Sequence, residues 1–149
     1  MRRLAFAVPA LLAVVSLLPA SAELLPVWTF APAAEQFDGS VGIADLTGDG
    51  APEIVATTIQ GAVIALNAQG RELWRWRQPD PISVSPTIAE AIASSPGPEV
   101  LVITNTGRVY CLNGGNGEIL WLDTLSSSIT WGAAGIAAAD LDRDGNLEF

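Results

Sequence analysis

Gly61-Ala62-Val63-Ile64-Ala65-Leu66-Asn67 is answered 46 positions later by Gly107-Arg108-Val109-Tyr110-Cys111-Leu112-Asn113. Each phrase runs into a glycine-bearing turn and then an acid and a tryptophan: Arg71-Glu72-Leu73-Trp74 after the first, Gly117-Glu118-Ile119-Leu120-Trp121 after the second. Upstream, Pro52-Glu53-Ile54-Val55 returns as Pro98-Glu99-Val100-Leu101, and Glu148-Phe149 opens the phrase a third time. Trp28, Trp74 and Trp121 keep the same rhythm, at separations of 46 and 47. Ile43-Ala44-Asp45 recurs as Ile88-Ala89-Glu90 and, less closely, as Ala138-Ala139-Asp140. Independent phrases at one period mark a repeat architecture.

Within the first repeat, residues 40–45, 53–58, 62–66 and 72–77 read as short strands. Within the second, 83–90, 99–104, 108–112 and 118–122 do so. Gln60-Gly61 and Asn67-Ala68-Gln69-Gly70 punctuate the first copy, and Thr106-Gly107 and Asn113 to Gly117 the second. Residues 62–66 and 100–103 are apolar at successive positions, which predicts burial on both faces of the sheet. Four short antiparallel strands per repeat of about 45 residues give an all-β chain of β-propeller blades. Trp74-Arg75-Trp76-Arg77 alternates strictly, so the two tryptophans share one face and the two arginines the other. Trp74 has a counterpart in Trp121 and reads as scaffold. Trp76 and Trp131 have none and are the candidates for exposed binding aromatics.

Composition narrows the chemistry. The 149 residues are 50% hydrophobic and 15% charged, enough apolar material for a core. Seven basic residues, all Arg, against 16 acids give a net charge of −9, which disfavours nucleic acid as a partner. The absence of His excludes a serine or cysteine triad and the usual zinc sites. The one cysteine, Cys111, lies in an apolar run and reads as a buried structural thiol. No catalytic residue emerges, and the expectation is a non-enzymatic chain. Met1-Arg2-Arg3, an apolar run from Leu4 to Leu18 and the small-residue step Ala20-Ser21-Ala22 form a secretory signal over residues 1–22. Cleavage there removes Arg2 and Arg3, taking the charge from −9 to −11. It leaves residues 23–149 secreted, extracellular or periplasmic, without a membrane span.

Two acidic loops carry the remaining chemistry. Asp45, Thr47, Asp49 and Glu53 offer oxygens at positions 1, 3, 5 and 9 of one. Asp140, Asp142, Asp144 and Glu148 do so in the other. Gly50 and Gly145 at position 6 permit a sharp turn, and the backbone carbonyls of Ala51 and Asn146 at position 7 are further candidate ligands. All donors are hard oxygens, so Ca2+ is the expected ion. Close carboxylates also repel unless a cation lies between them. The corresponding stretch of the middle repeat, residues 90–99, lacks the internal acids and keeps the turn.

The phrases from Val41 to Val55 and from Ala137 to Glu148 resemble FG-GAP repeats, also called VCBS repeats, which build the integrin α-subunit propeller. The phrase from Gly107 to Trp121 is similar to the quinoprotein-type (PQQ-like) propeller repeat. The resemblance implies calcium held by Asp45, Asp49 and Glu53, and by Asp140, Asp142, Asp144 and Glu148. Thr47 stands where such repeats more often have Asp or Asn.

Two full repeats and the start of a third fall short of the four to eight blades of a propeller. The rest of the propeller, from the same chain or an oligomer, is expected to close it. Residues 24–30, with Trp28 in register with Trp74, are expected to supply the last strand of the closing blade. The function this favours is a calcium-binding module that engages a protein or glycan at the cell surface. The alternative is the propeller portion of an exported quinoprotein-like enzyme or assembly scaffold.

Overall fold

The computed structural model describes residues 27–125 and 135–149. The expected signal segment 1–22 and Trp131 lie outside the described residues. Among those described there is no helix, and none long and apolar enough to cross a membrane.

Eight strands form two four-stranded antiparallel sheets, each a simple up-and-down meander. The first contains β1 (Gly42–Ala44), β2 (Glu53–Thr57), β3 (Ala62–Leu66) and β4 (Glu72–Arg77). The second contains β5 (Thr87–Ala89), β6 (Glu99–Ile103), β7 (Arg108–Asn113) and β8 (Ile119–Thr124). This is the layout of two propeller blades, as the repeat predicts. Registers repeat as well: Ala44 faces Glu53 in the first sheet and Ala89 faces Glu99 in the second. The first strand of each sheet is shorter than expected. Pro86 lacks the N–H that a ladder needs, so residues 83–86 serve as connection rather than strand.

The alternation of side chains decides which face meets which sheet. Val55, Val63, Ala65 and Trp74 point from the first sheet into a core shared with Val100, Val102, Tyr110 and Leu112 of the second. The opposite face of the first sheet, Ala62, Ile64 and Leu66, is covered by Trp28 and Phe30 from the entering segment. Both faces of β3 are therefore buried throughout, and all five residues of β6 are buried, as their continuous apolar runs predict.

Trp76 is not an exposed platform. It packs against the shared core and meets Tyr110 of the second sheet, ring centroids 4.5 Å apart and planes tilted by 57°. Being on the Trp74 face places it between sheets, so its lack of a counterpart in the second repeat reflects a local fit to Tyr110. Arg75 and Arg77 occupy the other face of β4. There Glu35, its side chain 2% exposed, pairs with both guanidiniums and accepts from Thr58 Oγ1 at 2.9 Å. This pins the entering segment to the outer strand.

Blade meets blade through one repeated contact. Trp74 Nε1 donates to Gly114 O at 2.7 Å, and its ring lies over Gly117, where a Cβ would stand 2.6 Å from Cε3. Trp28 Nε1 donates to Ala68 O at 3.0 Å, and its ring lies over Gly70, where a Cβ would stand 2.5 Å from Cδ2. Gly70 and Gly117 have φ of 74° and 76°, so glycine both makes the turn and leaves room for the indole.

Candidate metal centre

Antiparallel meanders put every loop between a first and a second strand at the same end of the stack. The acidic loops 45–53 and 140–148 and the middle loop 90–99 therefore share one end of the molecule. Loop 140–148 is closed by a bridge between Ala139 and Glu148, the pairing that Ala44 makes with Glu53.

Each acidic loop winds around its first aspartate. Asp45 Oδ1 accepts from the N–H groups of Gly48 and Asp49 at 2.7 and 3.2 Å, and Oδ2 from Gly50 at 2.9 Å. Asp140 Oδ1 accepts from Arg143 at 2.6 Å and Oδ2 from Gly145 at 3.1 Å. The turn is left-handed at the fourth and sixth positions of both loops: φ is 74° and 85° at Gly48 and Gly50, and 66° and 94° at Arg143 and Gly145. Arg143 adopts there a conformation that costs an L-residue roughly 1–2 kcal/mol. Asp49 Oδ1 accepts from the Ala51 N–H at 2.8 Å. Asp144 Oδ1 accepts from both the backbone and the side-chain N–H of Asn146, at 2.8 and 2.9 Å. Those bonds hold the Asp144 carboxyl below its ordinary range.

The loops differ in what converges. One oxygen each from Asp140, Asp142 and Glu148 lies within 4.8 Å of the others. Opposite ligands of a calcium ion, each at about 2.3–2.6 Å, are about that far apart, so the three oxygens fit one coordination shell. The donor set is all oxygen and suits a hard cation. Asp144 stands outside this group, turned to Asn146. In the first loop Asp45, Asp49 and Glu53 are not brought together in this way. Thr47 occupies the place of Asp142 and lies exposed, and Glu53 is 2% exposed and directed into the loop backbone.

The sequence reading missed what the ninth-position glutamate does. Glu53 Oε2 accepts from the N–H groups of Leu46 and Thr47 at 2.9 and 3.3 Å. Glu99 Oε2 accepts from Ala91 and Ile92 at 2.8 and 3.0 Å, and Glu148 Oε2 from Leu141 at 2.7 Å. The glutamate clasps the loop in all three repeats, including the one without internal acids. Its survival at Glu99, where no ligand set remains, was the available signal. Glu99 is fully buried and its Oε1 has no hydrogen-bond partner.

The model of the FG-GAP-like repeat matches residues 97–149, from the second strand of the second blade through the acidic loop 140–148. No curated protein matches the chain. Among solved structures it is similar to BamB from Moraxella catarrhalis, at 28% identity and a TM-score of 0.47, over 60% of this chain and 24% of that one. It is similar to a europium-containing methanol dehydrogenase at 27% identity and a TM-score of 0.41, over 56% of this chain and 15% of that one. A complex of BBS1N with ARL6DN matches at 14% identity and a TM-score of 0.49, over 70% of this chain and 32% of that one. The chain thus spans about a third or less of each of these proteins. Residues 97–149 carry an FG-GAP-like repeat, set in a chain of propeller blades.

Proposed function

We propose that this is an exported, calcium-binding propeller module that engages a protein or glycan and catalyses no reaction. One observation carries the reading: the oxygens of Asp140, Asp142 and Glu148 lie within 4.8 Å of one another, inside a single coordination shell. Calcium there would neutralise the convergent carboxylates and hold the loop at the end of the blades, where a partner can reach it. Asp140, Asp142 and Glu148 are the side-chain ligands, with Asp144 and the Asn146 carbonyl beside them. The first loop binds more weakly, because Thr47 stands where the other loop has the carboxylate of Asp142.

Thermal unfolding of residues 23–149 in chelator, in calcium and in magnesium tests this. Extracellular calcium modules have Kd of about 10⁻⁴–10⁻³ M, so the ion must reach about 10 mM. At 10 to 100 times Kd, binding adds roughly 1.4–2.7 kcal/mol. A calcium-specific rise in midpoint is expected, abolished by Asp142→Asn and largely kept by Asp49→Asn. Equal midpoints in calcium and chelator would reduce both loops to acidic turns.

A further inference from the structure

β4 and β8 are the outer strands of the two sheets, and among the described residues no strand pairs with their free edges. The Leu125 N–H donates to Gly107 O at 2.8 Å, and in that register Asp123 faces Val109 and Trp121 faces Cys111. Hydrogen-bonded pairs alternate along an antiparallel ladder, so the N–H and C=O groups of the intervening Leu122 and Thr124 point away from β7. In β4 the Gln78 N–H donates to Gly61 O at 3.0 Å, and the same alternation turns the backbone of Arg75 and Arg77 outward. The two edges differ in what they carry. Arg75 and Arg77 put charge along the β4 edge and are held there by Glu35 and Glu72, an arrangement that rejects an added strand. At the matching positions β8 has Leu122 and Thr124. Ile119, Leu120, Leu122 and Leu125 are 39–52% exposed, and β8 contains no basic residue.

We propose that the outer edge of β8 receives an extended segment of a partner protein as an added antiparallel strand. The backbone of Leu122 and Thr124 supplies the hydrogen bonds, and the side chains along the edge choose the segment. Charge selects the occupant. Glu118 and Asp123 are exposed acids just before and within the strand, in a chain of net charge −9. Arg108, the neighbouring cation across from Thr124, is already paired with Asp80 at 3.1 Å. The segment that fits has an apolar side chain against Leu122 and a Lys or Arg against Asp123, since opposite charges across strands are stabilising. Apolar and basic residues then alternate along it, one kind to each face. A second copy of β8 fits worse. Paired about Leu122 it sets Trp121 against Asp123, brings no basic side chain to the seam and joins two chains of like net charge. The edge carries none of the carboxylates of loop 140–148, so this contact does not depend on calcium.

The probe is a short capped peptide in which Val and Arg alternate, titrated into the full chain in chelator while amide hydrogen exchange is followed residue by residue. At saturation, exchange at Leu122 and Thr124 is expected to slow by about ten-fold or more, whereas Trp121 and Asp123, bonded to β7, are slow before peptide is added. Leu122→Arg copies the β4 edge at an exposed position and should abolish the protection with the urea midpoint unchanged. A peptide with Glu in place of Arg should not protect at the same concentration. Exchange at Leu122 and Thr124 unaltered by the Val-Arg peptide overturns the inference. Equal protection by the Glu peptide does so too, as does protection that persists when the peptide's valines are N-methylated and lack the N–H groups of a ladder. Protection that needs no peptide and grows with protein concentration would make the occupant a second copy and overturn it equally.

Discussion

Gly117→Ala tests the blade contact at its tightest point. Two costs arise there. The backbone is at φ 76°, where an L-residue pays roughly 1–2 kcal/mol. The new Cβ would also stand 2.6 Å from Trp74 Cε3 and 2.9 Å from Cδ2, and forcing a methyl into packed space costs about 1–3 kcal/mol. The total is roughly 2–5 kcal/mol. Gly48→Ala isolates the first cost, because Gly48 has nearly the same φ, 74°, with nothing within 4 Å of its Cβ position. Trp74→Leu removes the ring that creates the second, at a loss below the roughly 3–5 kcal/mol of full truncation. In the Trp74→Leu background Gly117→Ala should therefore cost no more than Gly48→Ala does in the parent. The double variant should then be more stable than the sum of the singles by about 1–3 kcal/mol. Urea unfolding in chelator, read as midpoints at constant slope, measures all four proteins. Additivity within about 0.5 kcal/mol would refute the claim that the turn glycine is there to admit the indole.

The buried glutamate of the middle loop gives a second test. Glu99→Ala strips the acceptor from two backbone N–H groups and should cost roughly 2–4 kcal/mol, whereas Glu99→Gln keeps the acceptor, discards an unpaired charge and should cost less than about 1 kcal/mol by the same urea assay. Burial, with the Glu99 charge beside it, pushes the Cys111 thiol from 9.0 up to about 12. From about pH 9 upward only the unfolded chain releases this proton, so stability should fall towards pH 12 by about 1.4 kcal/mol per unit. Cys111→Ala should lack that part of the slope, and a thiol reagent at pH 8 should label the native chain only on unfolding. Glu35→Ala frees two arginines that are 27% and 49% exposed and can regain water, so the loss should be only about 1–2 kcal/mol. It should nonetheless speed proteolysis within residues 27–37, and unchanged cleavage there would argue against the clasp.

The sequence reading succeeded where one residue type has one job. The apolar runs 62–66 and 100–103 mark strands buried on both faces, and the spaced tryptophans mark the sheets. Strand ends moved little; the first strand of the second blade contracted because Val84 O and Ser85 Oγ accept from Thr57 and Ser40 of the first blade and Pro86 has no N–H for a ladder. The reading was less complete where one residue type has two jobs. A glutamate nine positions into an acidic loop can hold a cation or cap backbone N–H groups, and spacing alone does not separate these. Trp76 likewise alternates correctly for either an exposed or an inward face, and only Tyr110 on the neighbouring sheet decides.

The seat that Trp28 takes on Gly70 bears on the order in which the molecule is made. A chain emerging from its amino end presents this tryptophan before the turn that receives it. Trp28 and Phe30 thus cover Ala62, Ile64 and Leu66 as soon as that blade's hairpin closes, while Val41 and Ile43 of the same sheet stay exposed. Trp74 then waits only for the next hairpin. The stack grows in one direction, each of these tryptophans in place before the turn that receives it.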